Sequence, residues 1–250
     1  MSRATVSARR VPSARRPPRG LVLVFAKVPR AGHVKTRLAQ RVGHDSAAEL
    51  ARAFLIDTLE SLRSLEHDRV DVELALDASD APAAERSRLL STLGEPKTSD
   101  QGPGDLGARL ERVLRRALET RPWALALGAD CPGMPNEKVA EAIRLLEAAG
   151  GPDIVFGPAR DGGYYSFGVR RFARGMLDGV RWGGESALVD SERGVTRAGL
   201  SSARTSDWFD VDEPTDLDHL TALLAARAIH APATRRVLFN LEPWKACPDG

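Results

Sequence analysis

The chain has 250 residues, 42% hydrophobic and 28% charged, which excludes a disordered chain and suits one large α/β domain or two small ones. A formal net charge of +2 argues against nucleic acid as a partner. No run of about 18 apolar residues occurs, so no membrane span is expected. Two cysteines, Cys131 and Cys247, do not make a disulfide scaffold and fit a reducing cytoplasm.

Residues 1–20 hold six arginines and no acid, so the remainder is mildly acidic. This leader lacks an apolar core and is not a secretory signal. An organelle transit peptide is one reading. Pro12, Pro17 and Pro18 interrupt any helix, and disorder is the expectation. Leu21–Phe25 then reads as a buried strand, short and rich in Val and Leu. It runs into a loop with Lys27, Arg30, Lys35 and Arg37 around Pro29 and Gly32. Cationic side chains and backbone N–H groups in such a loop can grip a polyphosphate. A solvated basic loop is the alternative.

Asp45–Leu65 has the spacing of an amphipathic helix, with Ala51, Leu55, Leu59 and Leu62 on one side. Val70–Leu76 reads as a second strand and Ala83–Leu93 as a short helix. Gly102, Gly104 and Gly107 match G-x-G-x-x-G literally. The dinucleotide fingerprint also needs a strand immediately upstream, and Glu95–Gln101 is polar with Pro96, so that reading is rejected. The loop can still approach a nucleobase or phosphate through Gly104 and Asp105, with Asp105 a candidate cap for a helix over 104–120.

Trp123–Leu127 reads as a further buried strand, ending at Gly128-Ala-Asp130-Cys-Pro132. A carboxylate there can hold a hard divalent cation against phosphate oxygens, or cap a turn before Pro132. Cys131 reads as a small packed thiol, since nothing local marks a base for it. Asn136–Ala149 reads as a helix capped by Asn136 and stopped by Gly150-Gly151. Strands over 153–156 and 164–169 flank Gly157-Pro-Ala-Arg-Asp161-Gly162-Gly163. That loop reads as a hairpin turn whose glycines permit positive φ or close approach to a ligand. Asp161 and Tyr164 are candidates to contact a sugar or acceptor. Asp210-Val-Asp212-Glu-Pro-Thr-Asp216 precedes a helix over 215–227. Asp216 and Glu213 suit the helix N-terminus, and Asp212 is the candidate metal ligand. Val237–Leu241 adds an edge strand or packs as a tail.

The alternation argues for one open, mostly parallel sheet whose site lies at the carboxyl ends of its strands. No Walker A loop, nucleophile elbow or metal-spaced histidine pair is present.

The order of these motifs resembles the DUF2064 family, a GT-A-like glycosyltransferase group also called transferase 1 and associated with radical-SAM and arsenosugar gene contexts. The residues that carry the resemblance are Phe25-Ala-Lys-x-Pro-x-x-Gly-x-Val-Lys-Thr-Arg-Leu38, Gln101-Gly-x-Gly-Asp-Leu-Gly107, Gly128-x-Asp-x-Pro132, Gly157–Tyr165, Trp182 and Asp210–Leu217, within about 21–222. The family usually shows Asp-Ser-Pro where this chain has Asp130-Cys131-Pro132. The resemblance implies a single-domain nucleotide-diphospho-sugar transferase fold over 21–228, a three-layer sandwich, with 1–20 as leader and 229–250 as tail. It implies that Asp130 binds Mg²⁺ or Mn²⁺ and that Asp212 completes the metal site.

The expected activity is therefore metal-dependent glycosyl transfer from a nucleotide sugar to a small-molecule acceptor. In that reading Lys27, Gly32, Lys35, Arg37, Gly104 and Asp105 bind the nucleotide and its phosphates. Gly162, Gly163 and Tyr164 bind substrate, Asp161 serves as base and Lys35 assists catalysis. Nucleotidylyl transfer from a nucleoside triphosphate to a phosphorylated acceptor is the alternative, favoured by the cationic density of the first loop. A nucleotide-binding module without turnover is the third reading.

Overall fold

The computed structural model describes residues 19–66 and 70–241. Nearly all of the expected leader, and Cys247, lie outside them. The described residues form a seven-stranded sheet in the order β3-β2-β1-β4-β6-β5-β7. Its strands are β1 (Gly20–Lys27), β2 (Val70–Asp77), β3 (Thr98–Asp100), β4 (Ala124–Gly128), β5 (Ile154–Pro158), β6 (Tyr164–Val169) and β7 (Ser202–Arg204). Only β6 runs against its neighbours, and it does so because it returns from β5 through a hairpin. The sheet is mostly parallel, as expected.

The helices are α1 (Ala39–Val42), α2 (His44–Glu66), α3 (Ala83–Thr92), α4 (Leu106–Leu118), α5 (Asn136–Glu147), α6 (Ala187–Arg197), α7 (Pro214–Ala225) and α8 (Pro232–Asn240). Among the described residues none is long and apolar enough to cross a membrane. Helices cover both faces of the sheet and make the three layers. The central strands explain why. Val22 and Val24 of β1 pack on one face with Leu55 and Leu62 of α2, Leu89 of α3 and Ile143 and Leu146 of α5. Leu21 and Leu23 point to the other face, among Leu110, Val113 and Leu114 of α4 and Leu188 and Val195 of α6. A strand buried on both faces must be apolar at every position, so β1 and β4 appear in the sequence as continuous hydrophobic runs.

A third cluster lies beyond the end of the sheet. Leu38, Leu50, Phe54, Val211, Leu217, Leu220 and Leu238 pack together, joining the first loop, α2, α7 and α8. Leu38 and Val211 are both fully buried there, which clamps the first loop to the segment that leads into α7. α8 corrects the expected edge strand at Val237–Leu241, which packs against the third cluster as a helix instead. Its first turn is fixed by Asp57 of α2, whose carboxylate accepts from Ala233 N and Thr234 N at 2.9 and 2.8 Å. A buried carboxylate at a helix N-terminus satisfies orphan amides and complements the helix dipole.

Two other expectations are corrected. Asn136 does not cap α5. It is the first helical residue, and its amide donates to Ser61 O and Ser64 Oγ of α2. The glycine loop does follow a strand, because Thr98–Asp100 pairs with β2 as β3. That strand is polar and three residues long because it lies at the sheet edge, not at the centre where the dinucleotide fingerprint belongs.

Candidate active site

In strand order, β1 is flanked by β2 on one side and β4 on the other, while the chain goes on from β2 to β3 before returning to β4. The connections therefore leave β1 and β4 in opposite directions, opening a crevice at their carboxyl ends. The first loop leaves β1 there, and Asp130 lies two residues beyond β4. The backbone of Val211 donates to Asp130 O at 3.0 Å, which brings Asp212 to the same place.

Three charged groups meet at this point. Lys35 Nζ lies 2.7 Å from Asp130 Oδ1 and 2.5 Å from Asp212 Oδ1. The Lys35 side chain is 6% exposed, whereas the two carboxylates are 52% and 45% exposed. Burial alone would pull the Lys35 ammonium toward the neutral form. The two carboxylates beside it outweigh that effect and hold its pKa above the ordinary value. The geometry that delivers the ammonium is unusual, because Lys35 has φ of +47°, a left-handed backbone that non-glycine residues seldom adopt. Gly32 turns the same loop at φ of +78°. The site thus has two half-exposed carboxylates whose oxygens converge on one cation. That oxygen donor set suits a hard divalent ion, which takes one or two carboxylates and fills its remaining positions with phosphate and water.

The other cations of the first loop also have carboxylate partners. Lys27 pairs with Asp80 at 2.9 Å, Arg30 with Glu85 at 2.9 Å and Arg37 with Glu213 at 3.4 Å. Lys27 and Arg37 are partly or well exposed, and exposed pairs of this kind are worth only about 0–1 kcal/mol. A phosphate can take such a cation at little cost.

On one side of the three charges opens a cleft of about 600 Å³, lined by Arg37, Arg160, Asp161, Glu185, Asp210, Asp212 and neighbouring residues. Asp161 reaches it from the β5–β6 hairpin. Its Oδ1 accepts from Gly163 N at 2.8 Å, which fixes the turn and the carboxylate together. Gly162 has φ of +87°, and a Cβ there would lie 2.1 Å from Glu185 O. The close approach made by this glycine is therefore to the chain itself, and it draws Glu185 into the wall of the cleft. Asp210, not singled out in the sequence, faces Asp161 because residues 205–210 run alongside β5, with Arg160 N donating to Trp208 O. Burial, then the negative charges of Asp161 and Asp212, push the Asp210 carboxyl up to about 6. The signal for it was its position two residues before Asp212, because the period of two along an extended segment puts both side chains on one side.

Tyr164 takes a different role from the one expected. Its ring packs against Phe156, Phe167 and Trp182 on the inner face of the sheet, and its hydroxyl lies 3.4 Å from Ser191 Oγ. Period-two alternation sends its neighbour Tyr165 to the opposite face. Cys131 is a buried thiol with its pKa raised, first by burial and then by Asp130, which suits packing rather than reaction.

On the other side of β1, the glycine loop is pinned to the sheet. Gln101 is buried and its amide donates to Ala26 O and Ala75 O at 3.1 and 2.8 Å. Asp105 caps α4 by accepting from Ala108 N at 2.9 Å. Gly104 has φ of +107°, and its carbonyl accepts from Arg109 Nε. Arg109 in turn binds Asp77 Oδ2 at 2.5 Å. Gly107 lies under Trp182, where a Cβ would sit 3.1 Å from the indole. Asp130 and Asp212 thus both contact Lys35, and Asp161 and Arg37 share the cleft with Asp212. Gly104 and Asp105 belong to the neighbouring loop over β2 and β3.

Solved structures share this architecture. A candidate nucleotide-diphospho-sugar transferase from Desulfovibrio desulfuricans G20 superposes with a TM-score of 0.76 at 31% identity, over 92% of this chain and 99% of that one. A cytidylyltransferase from Leptospira borgpetersenii matches with a TM-score of 0.55 at 10% identity, over 93% and 99% of the two chains. CMP:2-keto-3-deoxy-manno-octonic acid synthetase, solved with CTP, matches with a TM-score of 0.53 at 13% identity, over 84% and 99%. The last two share the fold alone. No curated protein matches the sequence. Residues 58–184, just over half of the chain, match the profile of DUF2064, described as an uncharacterized protein conserved in bacteria. Asp130, the glycine loop and the hairpin fall within that match, the first loop and Asp212 outside it, and with the Desulfovibrio chain similar over nearly its whole length, this chain belongs to the DUF2064 family.

Proposed function

We propose that the chain is a transferase that moves a glycosyl group from a nucleotide-diphospho-sugar to a small-molecule acceptor, with Mg²⁺ or Mn²⁺ held by Asp130 and Asp212. The observation that carries this reading is the convergence of those two carboxylates on one cation at the mouth of an acid-lined cleft. The description of the Desulfovibrio relative supports it. When bound, the ion would neutralise the diphosphate and make it a better leaving group.

The chain's own residues do the rest. Lys27, Lys35 and Arg37 exchange their carboxylate partners for phosphate oxygens, and the backbone around Gly104 borders the nucleotide. Asp161, held by Gly163 N, withdraws the proton of an acceptor hydroxyl. The acceptor oxygen bonds to the anomeric carbon as the bond from that carbon to the phosphate oxygen breaks, and the nucleoside diphosphate leaves.

Nucleotidylyl transfer is the second reading, favoured by four cations on one loop. The lining of the cleft disfavours it, because a phosphorylated acceptor would enter among six carboxyl groups and two arginines. The test is a panel of nucleotide sugars and nucleoside triphosphates with Mn²⁺ and candidate acceptors, followed for released nucleoside diphosphate or pyrophosphate. Acceptor-dependent nucleoside diphosphate is the expected product. Pyrophosphate formed only with a phosphorylated acceptor would overturn the glycosyl reading, and binding without turnover of any acceptor would support a binding module. Asp130→Ala should weaken Mn²⁺-dependent nucleotide binding by about 100-fold or more in calorimetry, in the range seen when a metal site is disrupted.

A further inference from the structure

The Lys35 ammonium occupies the position that a divalent ion shared by Asp130 and Asp212 would take. It lies within hydrogen-bonding distance of one oxygen from each, 2.7 and 2.5 Å away, and its side chain is almost fully enclosed. A second cation on the same two oxygens would crowd and repel it. The two bindings therefore exclude one another.

The ammonium can leave without refolding the loop. The Lys35 stem is unbranched, and rotation about its side-chain bonds moves the charge by several ångströms. The loop around it is clamped independently, by Leu38 packed with Val211 and by the turn at Gly32. The ammonium is costly to leave unpaired, however, because it is buried and rests near the Phe54 ring, 5.9 Å from its centroid. It needs another anion before it gives up these two.

We propose that Lys35 is an internal counter-ion that keeps a divalent cation out of the Asp130–Asp212 pair until a phosphate-bearing ligand arrives. The ammonium then transfers to a phosphate oxygen, and the cation takes its place between the carboxylates. This rests on the metal reading above. It makes nucleotide and metal binding reciprocally linked, each strengthening the other by one factor. It also assigns an order to the site, in which the metal enters with or after the nucleotide.

The test is Mn²⁺ binding to the full chain, read by loss of the free-ion electron paramagnetic resonance signal. Titrations are run with Mn²⁺ alone and with ADP, GDP, CDP and UDP in turn. Wild type should bind Mn²⁺ weakly alone and at least about tenfold more tightly with one of the nucleotides. Lys35→Met should bind Mn²⁺ alone about tenfold more tightly than wild type, and the nucleotide should add little. Lys35→Met combined with Asp130→Asn should lose that gain, showing that the ion uses the same carboxylate. Circular dichroism and a thermal melt establish that the variants fold, and Lys35→Gln replaces Lys35→Met if it does not. Nucleotide-enhanced Mn²⁺ binding in wild type, with no gain in the folded Lys35 variants, would overturn the counter-ion role and leave the metal reading standing. No Mn²⁺ binding by wild type or variant, with or without nucleotide, would overturn the metal reading itself.

Discussion

The carboxyl edge of the sheet has two halves built on opposite terms. Over β2 and β3 the charged and capping groups pair with partners in the fold. Asp77 binds Arg109 and both the amide and hydroxyl of Ser79, Gln101 bridges two strand carbonyls, and Asp105 caps α4. Over β4, β5 and the segment before α7 the carboxyl groups face a cleft. Asp161, Asp210 and Asp212 crowd one another, and burial together with the other two charges holds Asp210 up to about 6. The first half has its charged and capping groups paired within the fold. The second is left incomplete in charge, which is how a protein stores affinity for a cation or a hydroxyl donor.

This contrast predicts opposite mutational signatures. The largest effect belongs to the open half. Asp161→Asn keeps the acceptor for Gly163 N and should leave thermal stability unchanged while lowering kcat about 100-fold or more, the range for losing a general base. A fall in melting temperature with kcat intact would make Asp161 a turn residue. In the finished half, Arg109→Ala should destabilise by about 2 kcal/mol in urea unfolding, because it strands the nearly buried Asp77 carboxylate and frees the Gly104 carbonyl.

A smaller effect concerns acid. Burial alone would raise the Asp77 pKa, but the Ser79 hydrogen bonds and Arg109 hold it below the usual value. A carboxyl depressed in the folded state stabilises the fold above its unfolded pKa of about 4, and that contribution is lost as pH falls through the lower folded value. Asp77→Asn should therefore flatten the acid limb of stability below about pH 4, measured as the urea midpoint against pH. An unchanged limb would show that the pair contributes nothing. Smallest is Lys27→Ala, which removes one partly exposed ion pair and should cost under about 1 kcal/mol of stability. It should still raise the Kd for nucleotide several-fold in calorimetry if the cation is lent to phosphate.

The two halves were not equally legible in the sequence. β1 and β4 were, because burial on both faces leaves an unbroken apolar run. The edge strands β3 and β7 were not, since three residues such as Thr98-Ser-Asp100 or Ser202-Ala-Arg204 carry no period. α6 escaped because small residues fill part of its buried face. Gly194 lies so close to Met176 O that a Cβ would be 1.9 Å away, so close backbone contact replaces the hydrophobic stripe. Asp130 and Asp212 could be picked out from their places after a strand and before a helix. Their meeting with Lys35 could not. It depends on a left-handed residue and on Leu38 closing against Val211, two features that no local spacing encodes.

Asp57 gives the fold one more consequence. The helix turn that carries it also carries Phe54, beneath the Lys35 ammonium, so the same stretch of α2 supports the chain's last described helix and the enclosed Lys35 charge. Cutting the chain after Ala228, near where the sequence resemblance ends, would remove Leu238 from the third cluster and leave Asp57 with no amides to receive. Shortened versions designed from motif boundaries would thus loosen the chemistry from behind, while every residue named in those motifs remained in place.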